Sequence, residues 1–383
     1  MINCRGMDEA PLMDTAEGIV LFHPHIPARA KENVNKVLSG RWIGQGPLVD
    51  EFEKRFGSLF GSEHHKALAV GSGTDALHLS YILAGIKEGD EVITPVFTCT
   101  ATNIPLLYIK ANVVFADVDP KTMNINTKHV RQLVSEKTKA IVCVHYGGLP
   151  CDMEELHNIA REYNIPIIED AAHAVGATYK GKKIGSISPY TMYSFQAIKH
   201  ITTGDGGLLM LPEEQYEKAK RLRWFGIDRT AKQMGVWEND ITEIGYKYQM
   251  TDIAASMALA ALEELDETLS YRRKLFNIYE KNLTNIPGLT FVGGGYTDRE
   301  HAAWMCTIQV EKRKDLSRKL RENKIESAQV HYRNDRYSIF GGRQEGKYPH
   351  MDAIEDKYLV LPLHTKVHEQ DVYKICNVIK SGW

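Results

Sequence analysis

Ile167-Ile168-Glu169-Asp170-Ala171-Ala172-His173-Ala174 is an apolar run that stops at two acids and continues in small residues and a histidine. So short an apolar run, followed by small residues, reads as a buried strand that ends at a sheet edge. The same pattern recurs upstream at 67–70, 91–94, 112–117 and 140–145. Helical patterns follow these runs, from Thr74, through Thr102 to Ile109, over 127–134 and over 153–163. This alternation predicts an α/β fold with a mainly parallel sheet covered by helices on both faces and joined by right-handed crossovers. In such sheets ligands bind at the carboxyl ends of the strands. That rule singles out residues 71–74, 95–100, His145 and Asp170.

The flanks complete the plan. Residues 1–25 show little periodicity and read as an arm against the body or a partner subunit. The arm carries Asp8, Glu9, Asp14 and Glu17 and no apolar signal core, so export is not expected. Helices are expected over 27–38 and 48–60, with a loop holding Trp42, Gly44 and Gly46 between them. Beyond Gly207 come a strand (208–211), a helix (213–224), a polar excursion (226–245) and one long helical pattern (251–282). Pro287-Gly288 marks a boundary. Strands at 289–292, 302–310 and 326–331 and helices at 312–322 and 368–379 then make a small α/β domain. The expected division is an arm (1–25), a large domain ending in a linking helix (26–285) and a small domain (286–383).

Composition narrows the function. A chain of 383 residues exceeds one small core. A net charge of −2 advertises no basic face for nucleic acid. No apolar run approaches the ~18 residues that a membrane helix needs. Six cysteines without a CxxC pair read as reduced, mostly buried thiols, which places the chain in the cytoplasm.

The chemistry centres on Lys199, between a β-like run ending at Ser194-Phe195 and the turn-forming Gly204, Gly206 and Gly207. A lysine acts as a nucleophile when its pKa is depressed or a carbonyl cofactor is held against it. Gly71-Ser72-Gly73-Thr74-Asp75 joins a strand to a helix, a junction that suits an anion. A plain turn with Thr74 as N-cap accounts for it equally well. Asp170 could face a flat cationic ring, or cap a helix. No metal site is expected, because His64 and His65 are adjacent, His364 sits in a proline loop, and neither HExxH nor CxxC occurs. Without GxSxG a hydrolase triad is weak. Taken together, an anion site, an acid, and a lysine with its own serine match the needs of pyridoxal phosphate (PLP). Lysine forms the imine, aspartate keeps the ring nitrogen protonated, and N–H groups with hydroxyls hold the phosphate.

With these residues in view, the chain resembles the fold-type-I PLP aminotransferases, in their DegT/StrS-like sugar-nucleotide branch, from about Ile26 to Lys380. The motifs that carry the resemblance begin with Gly46-Pro47, Ser72-Gly73-Thr74-Asp75-Ala76-Leu77, Asp117-Val118-Asp119 and Val144-His145-Tyr146-Gly147. They continue with Glu169-Asp170-Ala171-Ala172-His173, Ser194 with Lys199, Thr203-Gly204-Asp205-Gly206-Gly207, Gly245-Tyr246, His331-Tyr332 and Leu361-Pro362-Leu363-His364. The resemblance implies that Lys199 is the Schiff-base lysine and Asp170 the partner of the pyridinium nitrogen. It puts Ala172 against one ring face, His173 near the ring hydroxyl, and Gly73, Thr74 and Ser194 on the phosphate. It further implies a homodimer with shared active sites, a nucleotide-linked keto sugar (3- or 4-keto-6-deoxyhexose type) as acceptor and L-glutamate as donor.

Two positions depart from the family pattern. Where relatives stack an aromatic ring on the cofactor, this chain has Cys99, so either Phe97 reaches the ring or a thiol replaces it. Where many relatives place an asparagine from the neighbouring subunit, it has Lys247, which could contact the phosphate. A PLP-dependent sugar dehydratase is the competitor within the branch, since such enzymes carry histidine at the lysine position and this chain has Lys199 followed by His200. A non-catalytic ligand-binding regulator on the same fold is the competitor from another class.

Overall fold

The computed structural model describes residues 12–238 and 240–383. Seven strands form the main sheet: β1 (His65–Val70), β2 (Glu91–Pro95), β3 (Asn112–Ala116), β4 (Thr138–Val144), β5 (Ile167–Asp170), β6 (Tyr190–Ser194) and β7 (Gly207–Pro212). Their order is β1-β7-β6-β5-β4-β2-β3. Only β7 runs against its neighbours; the other pairings are parallel. The reason is local. β6 and β7 are joined by residues 195–206 with no helix between them, and strands joined without a crossover return antiparallel. Lys199 sits in that loop, at the carboxyl end of β6.

Period-two alternation splits each strand between two cores. Leu208, Met210, Ile141 and Cys143 face one core, with Phe52 and Phe56 from the helix Pro47–Phe60 and Leu156 from the helix Met153–Tyr163. Leu209, Leu211, Ala140 and Val142 face the other, with Leu77 and Leu79 from the helix Gly73–Leu83. Both faces are therefore buried, as near-continuous apolar strands require.

A second sheet, antiparallel, contains β8 (Leu289–Phe291), β9 (Cys306–Val310) and β10 (Tyr358–Leu361) in that order. It has a core of its own around Leu275, Ile308, Leu359 and Ile375, shared with the helices Leu265–Leu283 and Glu369–Lys380.

Three expectations are corrected. The pattern over 251–282 is two helices, Asp252–Glu263 and Leu265–Leu283, broken at Glu264. The first half packs Ala255, Ala258 and Leu262 on the main sheet and the second packs Leu275 and Tyr279 on the small one. Asp266 and Glu267 stand in the first turn of the new helix, where acids favour a start.

The strand expected at 302–310 begins only at Cys306. The buried Arg272 guanidinium takes up the carbonyls of Ala303, Trp304 and Leu363, so residues 303–304 bond to a side chain instead of a ladder.

No strand forms at 326–331; Ala328 makes a single bridge to Val360. The Glu326 carboxylate instead accepts the N–H groups of Met13 and Leu21, tying the segment to residues 12–25. Those residues lie on the body, with Ile19 N–H donating to the Lys324 carbonyl at 2.9 Å. The first part of the expected arm, residues 1–11, lies outside the described residues.

Candidate active site

Carboxyl ends of β1, β5 and β6 converge, as expected of a parallel sheet. At the end of β1, Ser72, not Thr74, is the N-cap of the helix Gly73–Leu83, and its hydroxyl accepts from Asp75 N–H at 3.1 Å. That leaves the N–H groups of Gly73 and Thr74 at the open, electropositive end of the helix. Ser194, buried at the end of β6, lies directly beside them. A Cβ on Gly73 would come within 3.1 Å of Ser194 Cβ and Met192 Sδ. On Gly207 it would meet the Ser72 carbonyl oxygen at 2.3 Å. Glycine at both positions is thus what lets the hydroxyl and the helix end form one anion cradle.

Asp170 closes β5 and is buried. Thr102 Oγ1 donates to one carboxylate oxygen at 2.7 Å and Ala172 N–H to the other at 3.1 Å. Burial pushes the Asp170 carboxyl up from its usual range, against these bonds and against the nearby Lys199. Thr102 went unnoticed in the sequence because its partner lies 68 positions away. Thr102→Val is expected to lower turnover roughly tenfold, the loss of one hydrogen bond to a charged group. Thr102→Ser should recover most of it. Full activity in the valine variant would show that the bond does not matter.

Lys199 is half-buried, with its ammonium 3.6 Å from the centroid of the Trp304 ring. Desolvation lowers its pKa to about 8, while Cys99 and Asp170 pull the other way. Uptake of PLP by the cofactor-free protein is therefore expected to accelerate with a midpoint near pH 8, where the neutral amine appears. A midpoint near the ordinary lysine value of about 10.5 would contradict the desolvated site. Stopped-flow absorbance reads this directly.

His173 stacks on Trp304 with ring centroids 3.8 Å apart, and His331 lies nearly parallel and offset to the side, 5.3 Å from His173 and 6.3 Å from Trp304. Burial lowers its pKa well below the ordinary value, and its Nδ1 has no partner among the described residues. Trp304 was not singled out in the sequence, and His331 appeared there only as part of a motif. Their ring stack arises from two distant segments, and no spacing rule could reveal it.

The remaining expected residues divide. Cys99 is half-buried at the start of the helix Thr100–Tyr108 and acts electrostatically on Lys199. Phe97 is buried in the core between Tyr146 and Tyr358, with centroids at 5.2 and 5.1 Å. Lys247 is exposed and hydrogen-bonds Gln249, with its ammonium over the Phe225 ring. Nothing in the single chain brings it to Ser194. His200 is buried, and its Nε2 donates to the Ala302 carbonyl at 2.7 Å.

The structure also assembles a group that the spacing rules passed over. Cys143, His145 and Cys151 lie together, fully buried, one strand away from Asp170. Among the described residues no helix is long and apolar enough to cross a membrane.

Residues 24–380 match the DegT/DnrJ/EryC1/StrS aminotransferase family. The chain is 33% identical to the GDP-perosamine synthase of Escherichia coli O157:H7 over 368 residues, covering 95% of this chain and 98% of that one. It superposes on the sugar aminotransferase CalS13 from Micromonospora echinospora with a TM-score of 0.89 and 32% identity, over 95% of this chain and 100% of the other. It superposes likewise on Spr1654 from Streptococcus pneumoniae in its PLP form, with a TM-score of 0.88 and 28% identity, over 95% and 98%.

Proposed function

The chain belongs to the DegT/DnrJ/EryC1/StrS aminotransferase family, and on that premise we propose that it moves an amino group from L-glutamate to a keto sugar carried on a nucleotide. It is a PLP-dependent aminotransferase. The observation that carries the residue assignment is the convergence of three features at one sheet edge. These are the Gly73/Thr74/Ser194 cradle, the hydrogen-bonded Asp170 and the desolvated Lys199. A phosphate fits the first, a protonated ring nitrogen the second and a carbonyl carbon the third.

Bound there, PLP supplies an electron sink that labilises the bonds to an attached amine's α-carbon. The chain's residues do the rest. Gly73, Thr74 and Ser194 fix the phosphate and so the ring's position. Asp170, held by Thr102 and Ala172, keeps the ring nitrogen protonated. Ala172 and Cys99 would lie against the ring's faces, and His173 would stand near its hydroxyl. Lys199, whose pKa is drawn down to about 8, would hold the cofactor and, once released, carry a proton between the substrate carbon and the cofactor.

His200 supports the lysine rather than the dehydratase reading. Its Nε2 is committed to Ala302 and it is buried, so Lys199 is the group on the site side. The same intact set argues against a non-catalytic regulator.

A homodimer with shared sites belongs to this proposal. Met234, Trp237 and Ile244 are 81%, 76% and 80% exposed in the excursion beyond residue 226, more apolar surface than a solvated loop ordinarily carries. A second copy covering this excursion would bring Lys247 toward the partner's phosphate. A domain division near residue 285 is part of this proposal, with the helix Leu265–Leu283 as the link, since its Leu275 and Tyr279 pack into the second core with Ile308 and Ile375.

Cys99→Phe is expected to tighten PLP by up to about tenfold, because a ring-on-ring contact is worth roughly 0.5–1.5 kcal/mol beyond area. Weaker binding would mean that the space fits only a thiol. The substrate is tested with a panel of nucleotide-linked 3- and 4-keto sugars and glutamate. An amino sugar detected by mass, with 2-oxoglutarate formed in equal amount, is the expected result. Turnover of none of them, or loss of a hydroxyl without amine gain, would overturn the proposal.

A further inference from the structure

We propose that Cys143, His145 and Cys151 form a buried structural site for a thiophilic divalent ion of the zinc type, which braces the strand end carrying Asp170. The two sulfurs and one ring nitrogen lie within 4.8 Å of one another, and all three residues are 0% exposed. A tetrahedral zinc, with Zn–S of about 2.3 Å and Zn–N of about 2.0 Å, holds its donors about 3.5–3.8 Å apart. The three therefore need to close by no more than about 1 Å.

The imidazole is already set for the task. His145 Nε2 lies 2.7 Å from Glu169 Oε2, and Nδ1 accepts the Cys151 N–H at 3.0 Å. Accepting at Nδ1 puts the ring proton on Nε2, where it donates to the carboxylate, and leaves the Nδ1 lone pair on the Cys151 backbone N–H, which a metal ion would have to displace, as it would the Cys151 thiol's bond to the Val144 carbonyl. Carboxylate, imidazole and donor lone pair in that order are the arrangement by which second-shell acids orient metal-binding histidines. The Met153 thioether lies 4.0 Å from Cys143 Sγ, so a fourth soft donor borders the cluster.

Charge selects the ion. On binding, the two thiols lose their protons to solvent and both sulfurs bond the metal, so two protons leave for each ion that enters. Two thiolates, a neutral imidazole and a dication sum to zero, which is the cheapest state to bury. A monovalent ion would leave a net negative charge beside Glu169 and Asp170. The Cys151 N–H released from Nδ1 can turn to a thiolate.

The site's placement gives it a role. In the sheet register Cys143 pairs with Glu169 and Val144 with Asp170, and His145 N–H donates to the Asp170 carbonyl at 3.1 Å. An ion joining residues 143, 145 and 151 would fix the turn against which Asp170 is held.

The test uses the full-length, PLP-loaded protein, both as purified from zinc-supplemented medium and after refolding with zinc or with magnesium. Metal analysis should find about one zinc per chain, a higher Tm for the zinc-loaded than for the magnesium-refolded sample, and zinc release when the thiols are modified in denaturant. Cadmium in place of zinc should add a thiolate-to-metal ultraviolet band. The Cys143→Ser/Cys151→Ser double variant should hold no zinc and show no cadmium band. If that variant does not fold, the unmodified protein decides alone. No zinc after either preparation overturns the proposal, as does a disulfide between Cys143 and Cys151. Equal zinc in the unmodified protein and the double variant overturns it too. The visible absorption of bound PLP, read in the same samples, reports separately on the cofactor site.

Discussion

Lys199→Ala is expected to abolish both half-reactions, with a loss of about four orders of magnitude or more in turnover. Two roles are lost at once. The amine no longer holds the cofactor, and no other group stands where it can carry the proton. An alternative base, His173, is buried, its pKa is held well below the ordinary value, and its ring is stacked on Trp304 with His331 beside it. His200 is turned away onto Ala302. Borohydride should fix PLP on the unmodified protein at Lys199, as peptide mass mapping would read, and should fix none on the variant. Some PLP should remain in the variant, because the Gly73/Thr74/Ser194 cradle and Asp170 are untouched. Turnover near the unmodified level, or borohydride labelling of a different lysine, would show that this loop does not carry the chemistry.

Asp170→Asn is expected to slow the first half-reaction by about two to four orders of magnitude while the protein stays folded. The substitution keeps the shape and can keep a hydrogen bond to the ring nitrogen. It cannot keep that nitrogen charged, and the electron sink depends on the charge. PLP affinity should fall roughly ten- to a hundredfold, the value of one charge-assisted hydrogen bond of about 1.5–3 kcal/mol. Because Thr102 Oγ1 and Ala172 N–H both donate to the carboxylate, the asparagine must present an NH₂ to one donor. That mismatch adds to the loss of affinity. Single-turnover absorbance with glutamate separates the two effects. An unchanged rate with weakened affinity would make Asp170 a binding group only.

Much of the site was legible because local chemistry announced it. Glu169-Asp170 ends an apolar run, and a strand that stops on acids at a sheet edge points them at whatever binds there. Gly73 and Ser194 were legible as a glycine turn and a lone hydroxyl, but not as neighbours. Their contact depends on β7 lying antiparallel between β1 and β6, a pairing of segments more than a hundred residues apart. Thr102, Trp304 and His331 were missed as site groups for the same reason. Each is placed by a partner far along the chain: Thr102 by Asp170, Trp304 by Arg272 and His331 by the ring stack. The misread elements have a common cause as well. At 302–305 a strand-like pattern is present, but the buried Arg272 takes the carbonyls that a ladder would have used, and at 326–331 the Glu326 carboxylate ties the segment to Met13 and Leu21 while only Ala328 bridges to a strand.

The amino-acid sequence alone determined the α/β alternation and the aminotransferase resemblance, and it singled out Lys199, Asp170 and Ser194 as candidates, because period, turn residues and residue type are local properties. It also left Phe97 and Cys99 as equal candidates for one ring face. Only the tertiary structure favours one of them, by burying Phe97 against Tyr146 and Tyr358 and leaving Cys99 near enough to Lys199 to act on its charge. It likewise decided that Cys143 and Cys151 meet at His145, and that burial draws the Lys199 pKa down to about 8. Proximity and desolvation belong to the packed chain, since both are sums over neighbours that the order of residues does not name.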